Sequence, residues 1–307
     1  MGASSLGAGT AAAAVAGSPP RPGVDVSVVI AARNEAAAIG QVVGDLTAVL
    51  GRCGSFEIVV VSDGSDDATA ALARAAGAVV LENERPLGYG AALKRGFRLC
   101  RGQAVVITDG DGTYPAAAVP EIVARLAAGA DQVIGARTTA HARVPLLRRP
   151  VKWAIRQLAS LLVGRPIPDL NSGLRGVRRG ALNTVLRLLP DGFSCTTTLT
   201  VAGILEGWEV VWLPIDYHRR SGPSKFRPVQ DTARLLLALL RAVVYFQPLR
   251  VLLPVTVAVG AVGLAFAAYD VLVVRNLTDK TVLANLAALE LFVLALLADL
   301  FAKRYPR

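Results

Sequence analysis

The sequence is poor in the residues that build metal cages and disulfide frameworks. Its three cysteines, Cys53, Cys100 and Cys195, are widely spaced and form no Cys-x-x-Cys, which argues against a disulfide scaffold and a zinc site. They read as small, reduced packing residues. Two histidines, His141 and His218, are too few for a histidine-based metal centre. No Gly-x-x-x-x-Gly-Lys-Ser/Thr is present, which removes a P-loop. Gly88-Tyr89-Gly90 lacks the third glycine and the βαβ setting of a dinucleotide fingerprint. Residues 1–23 contain almost no large apolar side chain. They are too weakly apolar for a signal peptide and are expected to be a disordered cytosolic tail.

What is abundant is apolar surface and positive charge. Of 307 residues, 53% are hydrophobic, and the formal net charge is +10; the mean hydropathy is +0.48. These values are high for a soluble domain, so part of the chain is expected to face lipid. A basic excess fits nucleic acid, an anionic membrane or a phosphorylated ligand. Here the basic residues gather around expected interface helices and polar motifs, which disfavours nucleic acid.

From residue 24 to 230 the pattern is α/β. Asp25–Ala32, Phe56–Val61, Ala78–Leu81 and Ala104–Thr108 read as short buried strands. Glu35–Leu50, Asp67–Ala76 and Gly90–Leu99 read as helices between them. Such alternation predicts a mainly parallel sheet covered on both faces, with ligands at the carboxyl ends of its strands.

The C-terminal part changes character. Val251–Tyr269 has no charge, and Thr281–Ala302 is apolar except for Glu290 and Asp299. About 20 apolar residues cross a bilayer as a helix, so residues 251–302 read as a two-helix hairpin. Arg241 and Arg250 precede it, and Lys303, Arg304 and Arg307 follow it. The positive-inside rule then places the α/β domain and both termini in the cytoplasm, although Arg275 and Lys280 in the connection run against it. Asn276-Leu277-Thr278 is a sequon too near the bilayer to carry weight. Glu290 in mid-span needs a partner within the hairpin, a neighbouring subunit or a role in handling lipid. Residues 231–248 and 144–164 form two basic amphipathic helices suited to the membrane interface.

Three polar clusters follow the strands: Ala32-Arg33-Asn34-Glu35, then Ser62 to Thr69, then Asp109-Gly110-Asp111-Gly112. Asp67 reads as a helix cap. Asp109 and Asp111 are harder to dismiss, because two carboxylates flanked by glycines can hold Mg²⁺ or Mn²⁺ while substrate phosphates complete the octahedron.

Together these segments resemble family-2 glycosyltransferases of the GT-A fold, from about Val26 to Lys225. The resemblance implies a nucleotide-sugar donor site. Ala32, Asn34 and Glu35 would hold the nucleoside, with Glu35 at the ribose; Asp63 would meet the base, with Ser65 beside it. Lys94, Asp109 and Gly110 complete that implied site, and Asp109 and Asp111 match the motif that binds the diphosphate through Mg²⁺ or Mn²⁺. Ser62 departs from many relatives, which carry a second aspartate there. Gln132–Arg137, Asp169–Arg175 and Arg219–Lys225 resemble elements of polyprenyl-phosphate sugar synthases, the dolichyl-phosphate-mannose-synthase-like and GtrB-like subgroup. By that likeness Arg137, Ser172, Arg175, Thr197, Arg219, Arg220, Ser224 and Lys225 would bind the acceptor phosphate. Asp109, Asp111, Arg137 and Arg175 would carry catalysis. Phe193–Thr200 matches a helix bordering the acceptor cleft. The Gln-x-x-Arg-Trp of processive polysaccharide synthases is absent, which disfavours a long polymer product.

The implied reaction is a metal-dependent, inverting transfer of a hexose or N-acetylhexosamine from a UDP- or GDP-sugar to polyprenyl phosphate. The lipid phosphate has its second pKa near 6, so it is already anionic and needs no strong base. Two rivals stand beside it: transfer to a lipid alcohol such as diacylglycerol, which would need a base, and a non-catalytic membrane protein that binds nucleotide-sugars or lipid. A homo-oligomer joined through the membrane helices is a further expectation.

Overall fold

The computed structural model describes residues 24–138, 149–218 and 228–304. The tail 1–23, the first part of the basic segment 144–164, and Arg219, Arg220, Ser224 and Lys225 lie outside the described residues.

Seven strands form one sheet: β1 (Val26–Ala32), β2 (Phe56–Asp63), β3 (Val79–Asn83), β4 (Ala104–Asp109), β5 (Gln132–Ala136), β6 (Arg175–Arg178) and β7 (Val210–Pro214). Their order is β3-β2-β1-β4-β6-β5-β7. β1 runs parallel to β2 and β4, β2 to β3, and β5 to β7. β6 is antiparallel to both β4 and β5. The sheet is therefore mainly parallel, with one reversed strand at its centre.

Alternation along β1 assigns its two faces. Val28 and Ile30 pack with Ile39, Val43 and Leu46 of α1 (Ile39–Leu50), and with Ile122 of the later helix Val119–Ala127. Val29 packs on the other face, with Val59, Val61 and Ile107. That face is covered by α3 (Tyr89–Leu99) through Leu93 and Phe97, and by the helix Cys195–Leu205 through Leu199 and Ala202. Between α1 and α3 lies α2 (Thr69–Ala75); Val119–Ala127 is α4. Next come α5 (Arg149–Val163), α6 (Arg179–Val185), α7 (Cys195–Leu205) and α8 (Pro228–Phe246). A third apolar cluster joins Ile155 and Ala159 of α5 to Val201 of α7 and Leu239 and Val243 of α8. It ties the two amphipathic helices to the sheet domain, while Trp153, Leu161, Leu237 and Tyr245 stay exposed.

Two long helices follow, α9 (Pro248–Tyr269) and α10 (Asp279–Arg304), with a π-helical turn at Asp270–Val274 extending the first. Both are long and apolar enough to cross a membrane, and only 11% of each apolar window is buried against protein. The hairpin is a membrane anchor by length and composition. A polar cluster joins the two helices: Asp270 Oδ2 accepts from the Thr278 amide at 2.7 Å and from Thr281 Oγ1 at 2.7 Å. Asn285 Nδ2 donates to the Gly263 carbonyl at 3.1 Å. Glu290 is exposed on α10.

Candidate active site

The ends of β1, β2 and β4 lie side by side. Ala32 is level with Ser62, and Ala31 with Asp109. This register brings the three polar clusters to one edge of the sheet.

The first two clusters interlock. Asn34 adopts a left-handed backbone (φ 50°), which asparagine tolerates better than most residues. Its Oδ1 accepts the Asp66 amide at 2.9 Å, and its own amide donates to Ser65 Oγ at 3.2 Å. The Glu35 amide donates to Thr69 Oγ1 at 2.8 Å, and the Ala36 amide to Asp67 Oδ2 at 3.1 Å. Ala38 and Ile39 donate to the Glu35 carbonyl. The expected helix from Glu35 therefore begins at Ile39, because residues 34–36 are turned toward the second cluster. Asp67 does more than cap α2. Burial opposes its charge, but hydrogen bonds from Thr69 and Ala36 outweigh burial and hold its carboxyl below the usual range.

Asp63 is buried and engaged at both oxygens. Oδ1 accepts from Asn83 Nδ2 at 2.7 Å and the Leu87 amide at 2.8 Å, and Oδ2 from the Gly88 amide at 2.9 Å. The residue expected at the base thus anchors the turn that enters α3. Lys94, expected in the donor site, donates from its ammonium to the Leu189 carbonyl at 3.0 Å and pairs with Asp191, which pins the loop ahead of α7.

Asp109 and Asp111 close β4. Tyr89 Oη donates to Asp109 Oδ1 at 2.9 Å. Burial, then the Asp109 charge, lifts the Tyr89 phenol well above its ordinary range, which keeps it a donor. Asp111 is 6% exposed, and its Oδ1 accepts from Thr113 Oγ1 at 2.6 Å and the Thr113 amide at 3.1 Å. Gly173 of the Asp169–Arg175 motif sits against Asp109. A Cβ there would lie 2.8 Å from Asp109 Oδ2 and 2.9 Å from Tyr114 Cε2. The Gly173 amide donates to Tyr114 Oη at 2.6 Å. Ala32 and Gly110 are buried beneath this edge.

On the acceptor side, Arg137 makes a two-pronged pair with Asp169: Nε to Oδ2 at 2.7 Å and Nη2 to Oδ1 at 2.8 Å. Nη2 also donates to Asn171 Oδ1 at 3.0 Å, and the guanidinium lies 5.3 Å from the Tyr217 ring centroid. Burial would raise the Asp169 carboxyl, but the Arg137 pair more than reverses this and holds it below its usual range. Arg137 is therefore a clamp on the acceptor motif, with much of its charge already answered.

Arg175, expected at the acceptor phosphate, is 0% exposed. Nε donates to the Ser172 carbonyl at 3.1 Å, and Nη2 donates to the same oxygen. Nη1 donates to the Thr196 carbonyl at 2.7 Å and Thr200 Oγ1 at 2.8 Å. The side chain braces the Ser172 loop to α7 from below. Burial lowers its pKa, and surrounding tyrosine and Asp169 groups oppose that. Ser172 Oγ, Thr197 Oγ1 and Thr198 Oγ1 are buried without a hydrogen-bond partner. Thr198 lines a cavity of about 620 Å³ that extends from Gly88 and Asp191 to Arg234, Arg241 and Tyr245 of α8. Asp169 and Thr198 lie within segments already singled out from the sequence, whereas the contact of Tyr89 with Asp109 joins residues 20 apart and was not legible.

A mainly parallel seven-stranded sheet covered by helices on both faces, with a carboxylate pair at the end of β4, is a GT-A architecture. The family model described as "Glycosyl transferase family 2" matches residues 27–186, and one described as "GtrB C-terminal hairpin" matches 247–303. The chain belongs to glycosyl transferase family 2. It is 36% identical over 212 residues to a dolichyl-phosphate hexose transferase of Haloferax volcanii, covering 69% of this chain and 90% of that protein. It is 31% identical over 220 residues to a polyprenol monophosphomannose synthase of Mycolicibacterium smegmatis, covering 67% and 82%. Among solved structures, it is similar to glucosyl-3-phosphoglycerate synthase from Mycobacterium tuberculosis in complex with Mn²⁺, UDP and glucosyl-3-phosphoglycerate. There the TM-score is 0.58 and the identity 24%, over 72% of this chain and 80% of that one.

Proposed function

We propose that this enzyme transfers a hexose or N-acetylhexosamine from a nucleotide-diphosphate sugar to polyprenyl phosphate, with inversion, at the cytoplasmic leaflet. The observation that carries the reading is the union, in one chain, of the Asp109/Asp111 strand end with a membrane hairpin matching that of the GtrB model. The names of the two relatives, one a dolichyl-phosphate transferase and one a polyprenol monophosphomannose synthase, support the acceptor.

Mg²⁺ or Mn²⁺ fits the residues present. Asp109 and Asp111 offer hard carboxylate oxygens, and the missing Cβ of Gly173 keeps space beside Asp109 Oδ2. Among the described residues, no group of three acidic, histidine or cysteine side chains forms a protein-only cage, which suits an ion whose shell is completed by substrate phosphates. When bound there, the ion offsets charge gathering on the leaving diphosphate. The interlocked Asn34–Glu35 and Ser65–Asp67 loops shape the nucleoside side. The Arg137–Asp169 clamp and the Arg175 brace set the acceptor motif. A phosphate oxygen of the lipid attacks the anomeric carbon while the carbon–oxygen bond to the diphosphate breaks. The nucleoside diphosphate leaves, and the phosphate-linked glycolipid remains. Arg219, Arg220, Ser224 and Lys225 are proposed to neutralise the acceptor phosphate.

The cavity beside Thr198 supports a route for the isoprenoid, because its α8 wall leads directly into α9. Arg234 and Arg241 on that wall suit an anionic headgroup. The test compares polyprenyl phosphate, polyprenol and diacylglycerol with purified enzyme and one active donor. Product from the phosphate alone supports the reading; product from either alcohol replaces it with transfer to a hydroxyl.

A further inference from the structure

The Gly88-Tyr89-Gly90 segment is no dinucleotide fingerprint, yet the fold places it with care. Gly88 has φ 109°, and its amide is held by Asp63 Oδ2 at 2.9 Å. A Cβ on Gly90 would lie 2.1 Å from the Pro190 carbonyl, so the loop ahead of α7 rests directly on the start of α3. The Ala91 amide donates to the Asp191 carbonyl at 3.0 Å, and Lys94 fixes the same loop at Leu189. Tyr89, between the two glycines, faces both sides of the site. Its hydroxyl reaches Asp109 Oδ1 at 2.9 Å, and its ring stacks on Phe193 at 5.8 Å between centroids and 15° between planes. Phe193 immediately precedes Ser194 and the threonines of α7.

We propose that Tyr89 is a positioning residue: its hydroxyl fixes the Asp109 carboxylate for the divalent ion, and its ring makes that orientation depend on the loop that begins the acceptor wall. The assignment rests on the proposed metal-dependent transfer. A neutral donor on Oδ1 restricts rotation of the carboxylate, while Oδ2 lies beside Gly173. Hydrogen bonds to a charged acceptor are stronger than neutral ones. Phe193 has no polar side-chain group, and its stack holds the Tyr89 ring flat. The donor and acceptor halves of the site, separated by about a hundred residues in sequence, are then joined through one side chain.

The test measures UDP and GDP binding to the full chain in detergent by calorimetry, with Mn²⁺ and separately with EDTA. Tyr89→Phe keeps the ring and its stacking but removes the hydroxyl. The expected result is unchanged nucleotide binding in EDTA, a Mn²⁺-dependent gain reduced about tenfold, and a slightly lowered thermal midpoint from the lost hydrogen bond. Phe193→Leu should reduce the Mn²⁺-dependent gain in the same direction, and Phe193→Tyr should restore it. A Tyr89→Phe enzyme with the full Mn²⁺-dependent gain overturns the assignment. So does an equal loss in EDTA, which would make Tyr89 a general support of the nucleotide pocket. Failure of the underlying reading looks different: the native chain itself would show no Mn²⁺-dependent gain with either nucleotide.

Discussion

Replacing Arg175 separates a buried brace from a phosphate ligand. In Arg175→Met the Ser172 carbonyl loses both donors it receives from the guanidinium. A buried carbonyl left unsatisfied costs about 1–3 kcal/mol. The Thr196 carbonyl keeps the Thr200 hydroxyl at 3.0 Å, so its loss is smaller. Removing a cation that is 0% exposed returns part of the total, since buried charge carries its own desolvation penalty. The net expectation is about 2 kcal/mol of destabilisation, or roughly a 4–8 °C fall in midpoint for a domain of this size. Arg175→Lys should fall similarly, because one ammonium cannot reproduce the fork that spans Ser172, Thr196 and Thr200. The assay pairs thermal melting in detergent with KM for polyprenyl phosphate and calorimetry with the nucleoside diphosphate. Both variants should melt lower and show a raised acceptor KM, with nucleotide binding preserved. A Lys variant with native melting and near-native acceptor KM would refute the brace and restore a direct charge contact.

Three further expectations follow from other contacts. Gly173→Ala should keep the fold but lose most Mn²⁺-dependent nucleotide binding in calorimetry, because its Cβ would meet Asp109 Oδ2 at 2.8 Å. Asp169 has a lowered folded-state pKa, so its pairing with Arg137 contributes stability above the ordinary Asp range, near 3.9, and loses it as pH falls through the folded value. Asp169→Asn should therefore lower the midpoint at neutral pH, by the equivalent of about 3 kcal/mol, and flatten the acid side of a midpoint-against-pH curve. Burial pushes the Cys195 thiol up to about 12 and also raises Cys100. Iodoacetamide at pH 8 followed by peptide mass analysis should therefore label Cys53 and spare the other two until the chain unfolds.

The strands carrying the donor edge were legible because their β-branched runs are buried on both faces and end abruptly in polar residues. Val61 and Ile107 are followed within two residues by Asp63 and Asp109, and Ile30 within four by Arg33 and Asn34. The hairpin was legible for the same reason: length and lack of charge suffice. β6 was not legible. Its four residues, Arg-Gly-Val-Arg, carry no apolar run, and its buried arginine is held by the Ser172 loop and by α7. The contact of Lys94 with a loop 95 residues later was not legible, because its own helix gives no sign of that loop. Arg137 was singled out through its motif, but the sequence does not show that Asp169 meets it in a two-pronged pair. In each case the missing information is a polar contact between distant segments, which periodicity does not encode.

The central claim is sugar transfer to a lipid phosphate at the Asp109/Asp111 strand end. The most direct measurement incubates detergent-purified enzyme with Mg²⁺ or Mn²⁺, a short polyprenyl phosphate and a panel of UDP- and GDP-sugars. Lipid mass and released nucleoside diphosphate are read together, and Asp111→Asn is run in parallel. The account predicts a new phosphate-linked glycolipid from one donor, formed in step with the nucleoside diphosphate and lost in the variant. Equal product from Asp111→Asn, or no glycolipid from any donor with the acceptor in solution, would contradict it.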